Sequence, residues 1–207
     1  VSHTCTGADL VLLVWAGHWW NNTVTVTYAA VAMTAVAGPI SSGGDARVTC
    51  FRLIAPATGA NNIVITATNG NPLTSGALSF TGAHQTTPLG TAATANGNST
   101  APSVAVASAT DEIVADGVVL SNVAVETVGA GQTGRWSVAR GTQMETFGST
   151  EPGAASVTMN WSLDVGLFWA TIGVGVKPAA AGPGAPEFMA AARQGSMTAG
   201  VTGRQYV

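Results

Sequence analysis

"LVLLVWAGHWWNNTVTVTY", residues 10–28, joins two different strand signatures end to end. Across 10–16 apolar side chains occupy both parities, as in a strand covered on both faces. Across 23–28 only Val24, Val26 and Tyr28 fall on one side, with threonines on the other, as in a strand with one wet face. Both signatures recur. "NIVITAT" (62–68) and "ASVTMNWSL" (155–163) alternate, while "EIVADGVVL" (112–120) and "LFWATIGVGV" (167–176) are apolar throughout. Gly, Pro, Asn and Ser clusters separate these runs every eight to twelve residues, and no long 3.6-residue period precedes residue 180. The expectation is an all-β chain whose residues 1–178 form one two-sheet antiparallel β-sandwich. "AGPISSGGDA" (37–46), "TNGNPLTSG" (68–76) and "TANGNSTAPS" (94–103) read as its loops.

Composition narrows the function. Of 207 residues, 46% are apolar and only 8% are charged, roughly a third of the usual share, so Thr, Ser, Asn and Gly must cover the surface. Such a surface suits secretion or assembly. The net charge is −3 and Lys177 is the single lysine, which leaves no basic patch to neutralise phosphates; nucleic acid is not an expected partner. The apolar runs stop short of the 18 or more residues of a membrane-spanning helix, so no membrane insertion is expected.

Signals for chemistry are sparse. "GAGQTG" (129–134) fits the G-x-G-x-x-G string, but a strand pattern, "RWSVARG", follows where nucleotide binding needs a helix N-terminus. His3, His18 and His84 lie far apart with no zinc-site spacing. Asp111, Glu112 and Asp116 do not make a calcium loop and read as surface acids at a loop-to-strand junction. No nucleophile elbow occurs, and a pair of glycosidase carboxylates has nothing to favour it. The expectation is a protein that is not an enzyme and takes no cofactor or metal. Cys5 and Cys50 also lack metal-site spacing. Either they close a long loop as one disulfide, worth roughly 4 kcal/mol, or they are two buried thiols.

The tryptophans divide by position. Trp15, Trp161 and Trp169 sit within strand patterns and belong to the core. Trp19 and Trp20 stand where a strand ends. Adjacent residues of an extended chain point to opposite faces, so one of the two is left to contact a glycan or a partner subunit, and Trp136 beside Arg135 carries the same ambiguity.

From 179 the composition changes to a Pro/Gly hinge and a tail, residues 179–207, read as an extended arm docking on a neighbouring chain. Within it "PEFMAAARQG" (186–195) has the N-terminal Pro and C-terminal Gly of a short helix. Phe188, Met189, Met197, Tyr206 and Val207 are the expected anchors to the partner.

The runs "TVTVTYAAVAMTAV", "LIAPATGANNIVIT", "SFTGAHQTTPLGT" and "EPGAASVTMNWSL", with "WATIGVGVKPA", resemble a β-sandwich module recurring in predicted bacteriophage structural proteins and large bacterial surface proteins. The resemblance spans about residues 1–178. It implies a jelly-roll or immunoglobulin-like domain of a virion or an adhesin, and carries no catalytic residue. Composition, arm and resemblance together give a non-enzymatic virion structural protein, such as a capsid decoration, head fibre or tail component. Its expected partners are further copies of itself or other virion proteins, and its expected location is the virion. The alternative is an extracellular carbohydrate-binding or adhesion module that meets cell-surface glycans through its tryptophans.

Overall fold

The computed structural model describes residues 1–69, 72–179 and the backbone of 198–200. It is all-β, and among the described residues there is no helix. The expected helix at 186–195 and the anchors Phe188, Met189, Met197, Tyr206 and Val207 lie outside the described residues.

The strands fall into two successive sets. The first comprises β1 (Ser2–Cys5), β2 (Val11–Trp19), β3 (Val24–Tyr28), β4 (Val31–Ala32), β5 (Thr34–Ser41), β6 (Ala46–Ile54), β7 (Gly59–Ala67) and β8 (Leu73–Phe80). The second comprises β9 (Ala93–Ser99), β10 (Ser103–Ala107), β11 (Ile113–Leu120), β12 (Glu126–Val128), β13 (Thr133–Arg140), β14 (Met144–Pro152), β15 (Ser156–Leu163) and β16 (Leu167–Val176); β17 (Thr198–Gly200) follows. All pairings are antiparallel. The four sheets run β1-β7-β3-β4, β17-β8-β2-β6-β5, β13-β14-β11-β16-β9 and β10-β15-β12.

These orders are one arrangement used twice. Replacing β1, β2, β3, β5, β6, β7 and β8 by β10, β11, β12, β13, β14, β15 and β16 turns the first set of neighbours into the second. The registers agree as well. Leu13 stands opposite Arg52 and Leu78, and Ala115 stands opposite Thr150 and Val174, with the same correspondence along the whole of β2 and β11. By this register Trp15 corresponds to Gly117 and Val14 to Asp116.

The sheets stack four deep. The two five-stranded sheets face each other through Val11, Leu13, Trp15, Val48, Cys50 and Leu78 on one side and Ala115, Val119, Ile172 and Val174 on the other. The contacts across this interface are reciprocal: β8 on β13 and β14 is answered by β16 on β5 and β6. The β1-β7-β3-β4 sheet covers the other face of the first central sheet around Leu12, Val14, Tyr28 and Phe51. The β10-β15-β12 sheet covers the second around Val114, Val118, Phe147, Met159 and Trp161. A central strand is thus buried on both parities and an outer strand on one, which is the physical origin of the two sequence signatures.

Two tryptophans set the spacing of the central sheets. The Trp15 ring lies on Gly117, where a methyl group would overlap it, and its Nε1 donates to the Ile172 carbonyl at 3.0 Å. The Trp136 ring lies on Gly76 and Gly148; a Cβ at Gly148 would come within 2.6 Å of it. Only bare backbone lets the sheets approach with a ring between them. Beside them Thr74 and Thr146 hydrogen-bond across the interface.

Several expectations need correction, first that residues 1–178 form one two-sheet sandwich: the described residues make four sheets, because each half of the chain builds its own pair. Residues 37–41 continue β5, with two register irregularities against β6, and only 42–45 form the loop. Residues 94–99 belong to β9, an edge strand of small and polar residues whose hydrogen bonds to β16 outweigh its weak strand composition. Of the two readings of Cys5 and Cys50, the buried-thiol one holds, since both are free and buried. They lie on opposite sides of the first central sheet, Cys50 in the middle interface and Cys5 under the outer sheet, so the β6 backbone separates them and no disulfide joins them.

Candidate functional site

The exposed aromatic surface gathers where β2 and β11 end. After Trp19 the chain turns, with the Asn22 amide donating to the Trp19 carbonyl at 3.0 Å, and the Trp20 amide donates to the Asp45 carbonyl at 2.7 Å. That bond ties the 20–23 turn to the 42–45 loop. In that loop the Ser41 and Ser42 hydroxyls accept from the amides of Gly43 and Gly44, both at 3.2 Å. The Phe168 ring rests on Gly43, and Gly44 faces Ser121. Ser121 in turn donates its amide to the Phe168 carbonyl at 3.0 Å. Three loops from both halves therefore adjoin, and each half places one aromatic residue, Trp20 or Phe168, beside the 42–45 loop. Trp20 is 56% exposed and Phe168 42%, with Val125 and Val165 also exposed on the adjoining loops. Asp164 accepts the Val125 amide at 2.8 Å and fixes that rim.

The structure sorts the three candidate tryptophans. Trp20 presents its ring to solvent, and Trp19 is half-buried against the central core, as the opposite-face argument requires. Trp136 is a correction. It is buried between Gly76 and Gly148 and offers no surface to a glycan or a partner. Sequence reasoning missed this because the two glycines that seat it are distant in the chain. It also missed Phe168, whose strand pattern placed it in the core.

A second feature is a buried polar chain in the second half. Asp116 is fully buried, not a surface acid as its sequence position suggested. Its Oδ1 accepts from the Ser149 amide at 2.8 Å and the Ser149 hydroxyl at 2.7 Å; its Oδ2 accepts from Trp161 Nε1 at 2.8 Å. Gln132 Nε2 donates to the Ser149 hydroxyl at 2.7 Å, and Gln132 Oε1 accepts the Asn160 amide at 2.7 Å. The chain therefore runs from the central sheet to the outer one. Burial pushes the Asp116 carboxyl up to about 6 against the pull of its three donors. The glycine-rich 129–132 turn serves this network by placing Gln132, and no helix follows it.

The remaining titratable residues are scattered. His18 is buried: Nδ1 donates to the Trp19 carbonyl at 3.1 Å and Nε2 accepts from the Thr49 hydroxyl at 3.1 Å, which fixes the neutral tautomer. Burial lowers its pKa; the Trp19 carbonyl opposes this and Arg47 adds to it. His3 is buried beside Tyr28 with neither ring nitrogen hydrogen-bonded, and burial lowers its pKa too. His84 Nδ1 accepts the amides of Thr86 and Thr87 in a surface turn. Burial raises Glu145; the Ala124 amide pulls it down, and repulsion from Glu126 pushes it further up. Among the described residues no three His, Cys, Asp or Glu side chains gather as a metal-ligand group. No helix among them is long and apolar enough to cross a membrane.

Compared with known proteins, the chain matches no family model, no curated protein and no solved structure.

Proposed function

We propose that the protein is a non-enzymatic structural component of a larger assembly, of the virion type that the sequence resemblance implies, built to pack against other copies or other coat proteins. The observation that carries this is the chemistry of the two outermost faces. On one side the solvent-facing positions of the outer sheet are Ser2, Thr4, Thr25, Asn62, Val64 and Thr66. On the other they are Ser103, Ala105, Thr127, Ser156, Thr158, Asn160 and Ser162. None is charged. Covering such a face strips water from hydroxyls and amides that can exchange hydrogen bonds, and removes no ion from water, so desolvation opposes packing only weakly.

The sandwich variant we assign is closer to the immunoglobulin-like layout than to a jelly roll. Lettering β1, β2, β3, β5, β6, β7 and β8 as A to G gives sheets G-B-E-D and A-F-C. The B-E-D and F-C groupings are those of the immunoglobulin fold, with the first and last strands exchanged between sheets.

The test is the mass in solution, by light scattering, of the full chain and of one ending at Pro178, with binding to candidate virion shells measured alongside. The expected result is assembly or shell binding by the full chain, from a monomer of 20.6 kDa, and its loss on truncation. A full chain that stays monomeric and binds no shell would overturn the proposal.

A second function is favoured by one observation, the exposure of Trp20 and of Phe168 beside the 42–45 loop. Aromatic faces at a loop-built end suit stacking on sugar rings, so an extracellular glycan-binding module is the alternative. Saturable glycan binding by the monomer, abolished by Trp20→Ala, would replace the assembly proposal.

A further inference from the structure

The duplication exposes a difference between the two halves at one sheet edge. In the second half β16 is flanked by β9, which pairs with it over seven residues, from Leu167 opposite Ser99 to Gly173 opposite Ala93. The corresponding strand of the first half is β8. By the shared register Leu73 corresponds to Trp169 and Ala77 to Gly173. Among the described residues the edge of β8 carries only β17, which pairs Thr198, Ala199 and Gly200 with Ser79, Leu78 and Ala77. Among the described residues nothing pairs with that edge from Leu73 to Gly76. A sheet edge is a template for another strand.

The strand on it comes from far along the chain. The Ala179 amide donates to the Gly82 carbonyl at 2.7 Å, so the chain leaves the sandwich beside the end of β8. From there to the site of β17 is a distance of roughly 10 Å, three residues along a strand. Residues 180–197, rich in Pro, Gly and Ala, intervene, and a link of that length can span about 60 Å. The link is several times longer than closure on its own edge requires, and long enough to reach the same edge of a neighbouring copy.

We infer that the β8 edge is a strand acceptor whose occupant in the assembled state is the 198–207 segment of a second copy. This rests on the assembly role proposed above and names its contact. The register that sets Gly200 opposite Ala77 runs on toward Leu73, so the seven residues after β17 are enough to cover the stretch that β9 covers on β16. Exchange between copies keeps every hydrogen bond of the closed form. It converts one chain's tail into the link between two, and needs no new surface.

The test uses the full chain, its mass followed by light scattering while a synthetic peptide of residues 196–207 is added in excess. The expected result is an oligomer of at least twice the monomer mass that falls to the monomer as the peptide takes the acceptor edge. In the same experiment Gly200→Pro, which removes the β17 donor opposite Ala77, gives a monomer that melts at the wild-type temperature. An oligomer indifferent to both peptide and proline would overturn the acceptor assignment while leaving the assembly role standing. A monomeric full chain whose Ala77 and Ser79 amides are protected from hydrogen exchange, and lose that protection in Gly200→Pro, would show the tail closed on its own edge and overturn the exchange. Shell binding would then decide the assembly role separately.

Discussion

Asp116 occupies in the second half the register position that Val14 holds in the first, so one fold accommodates a methyl pair and a carboxylate at equivalent places. The difference is met by three donors, two from Ser149 and one from Trp161. They satisfy the carboxylate but do not offset its desolvation, since its pKa stands at about 6 against an ordinary 3.8. The folded state therefore holds a proton that the unfolded chain has released between these values. Its contribution is fully present below about pH 4 and is lost as pH rises toward 6. At roughly 1.4 kcal/mol per pH unit the loss amounts to about 3 kcal/mol. Asp116→Asn keeps the shape and removes the titration. Urea denaturation at pH 4 and pH 7 should show the variant gaining about 3 kcal/mol on the wild type between the two conditions. A stability difference that does not change with pH would mean that the carboxyl is not desolvated as described.

At the scale of elements, the strands are defined by what covers them. The central strands β2, β11 and β16 show no polar side to solvent, and the stacking distance between their sheets is set where a ring meets a glycine. Gly76→Ala would drive a methyl group into the Trp136 ring, and neither the β8 backbone nor a side chain wedged between two sheets can move aside cheaply. The expected cost is about 3 kcal/mol, read from the denaturation midpoint, with a red shift of tryptophan emission as the ring loses its seat. Gly90→Ala, whose nearest atom would be 3.8 Å away, should change stability by less than about 0.5 kcal/mol. Equal effects at the two positions would contradict the packing. Much of this level was legible in the sequence, because period-two alternation in 23–28, 62–68 and 155–163 directly records one wet and one dry face. Strands β5 and β9 were not legible. Gly38, Pro39 and Ser41 in β5 and Asn96, Gly97, Asn98 and Ser99 in β9 carry turn chemistry that dominates a local window, whereas the strand conformation comes from partners far along the chain. Trp136 was unreadable for the same reason, its glycine seats being about 60 and 12 residues away. Trp20 was legible as one of two options, since parity alone requires that two adjacent rings part company.

For the whole molecule the governing feature is the duplication, which sequence comparison by eye does not reveal. Corresponding residues share a place in the register without sharing a type, as Trp15 with Gly117 and Val14 with Asp116 make plain. The two halves meet through the largest apolar cluster, to which both central sheets contribute one complete face. Separating them would expose that face to water, at about 25 cal/mol per Å² of apolar surface. Each half thus depends on the other, and the four layers should unfold as one cooperative unit. Ile172 sits in the second half with its side chain in the shared cluster, so Ile172→Val offers a small, well-tolerated perturbation of roughly 1 kcal/mol. Hydrogen exchange under increasing urea would follow β3 and β7 in the first outer sheet separately from β12 and β15 in the second. The expected outcome is a single midpoint for both outer sheets, lowered by the same amount in Ile172→Val even though β3 and β7 lie two layers away from the substitution. A midpoint that moves only for β12 and β15 would mean that the halves unfold independently and that the central cluster joins them without coupling them.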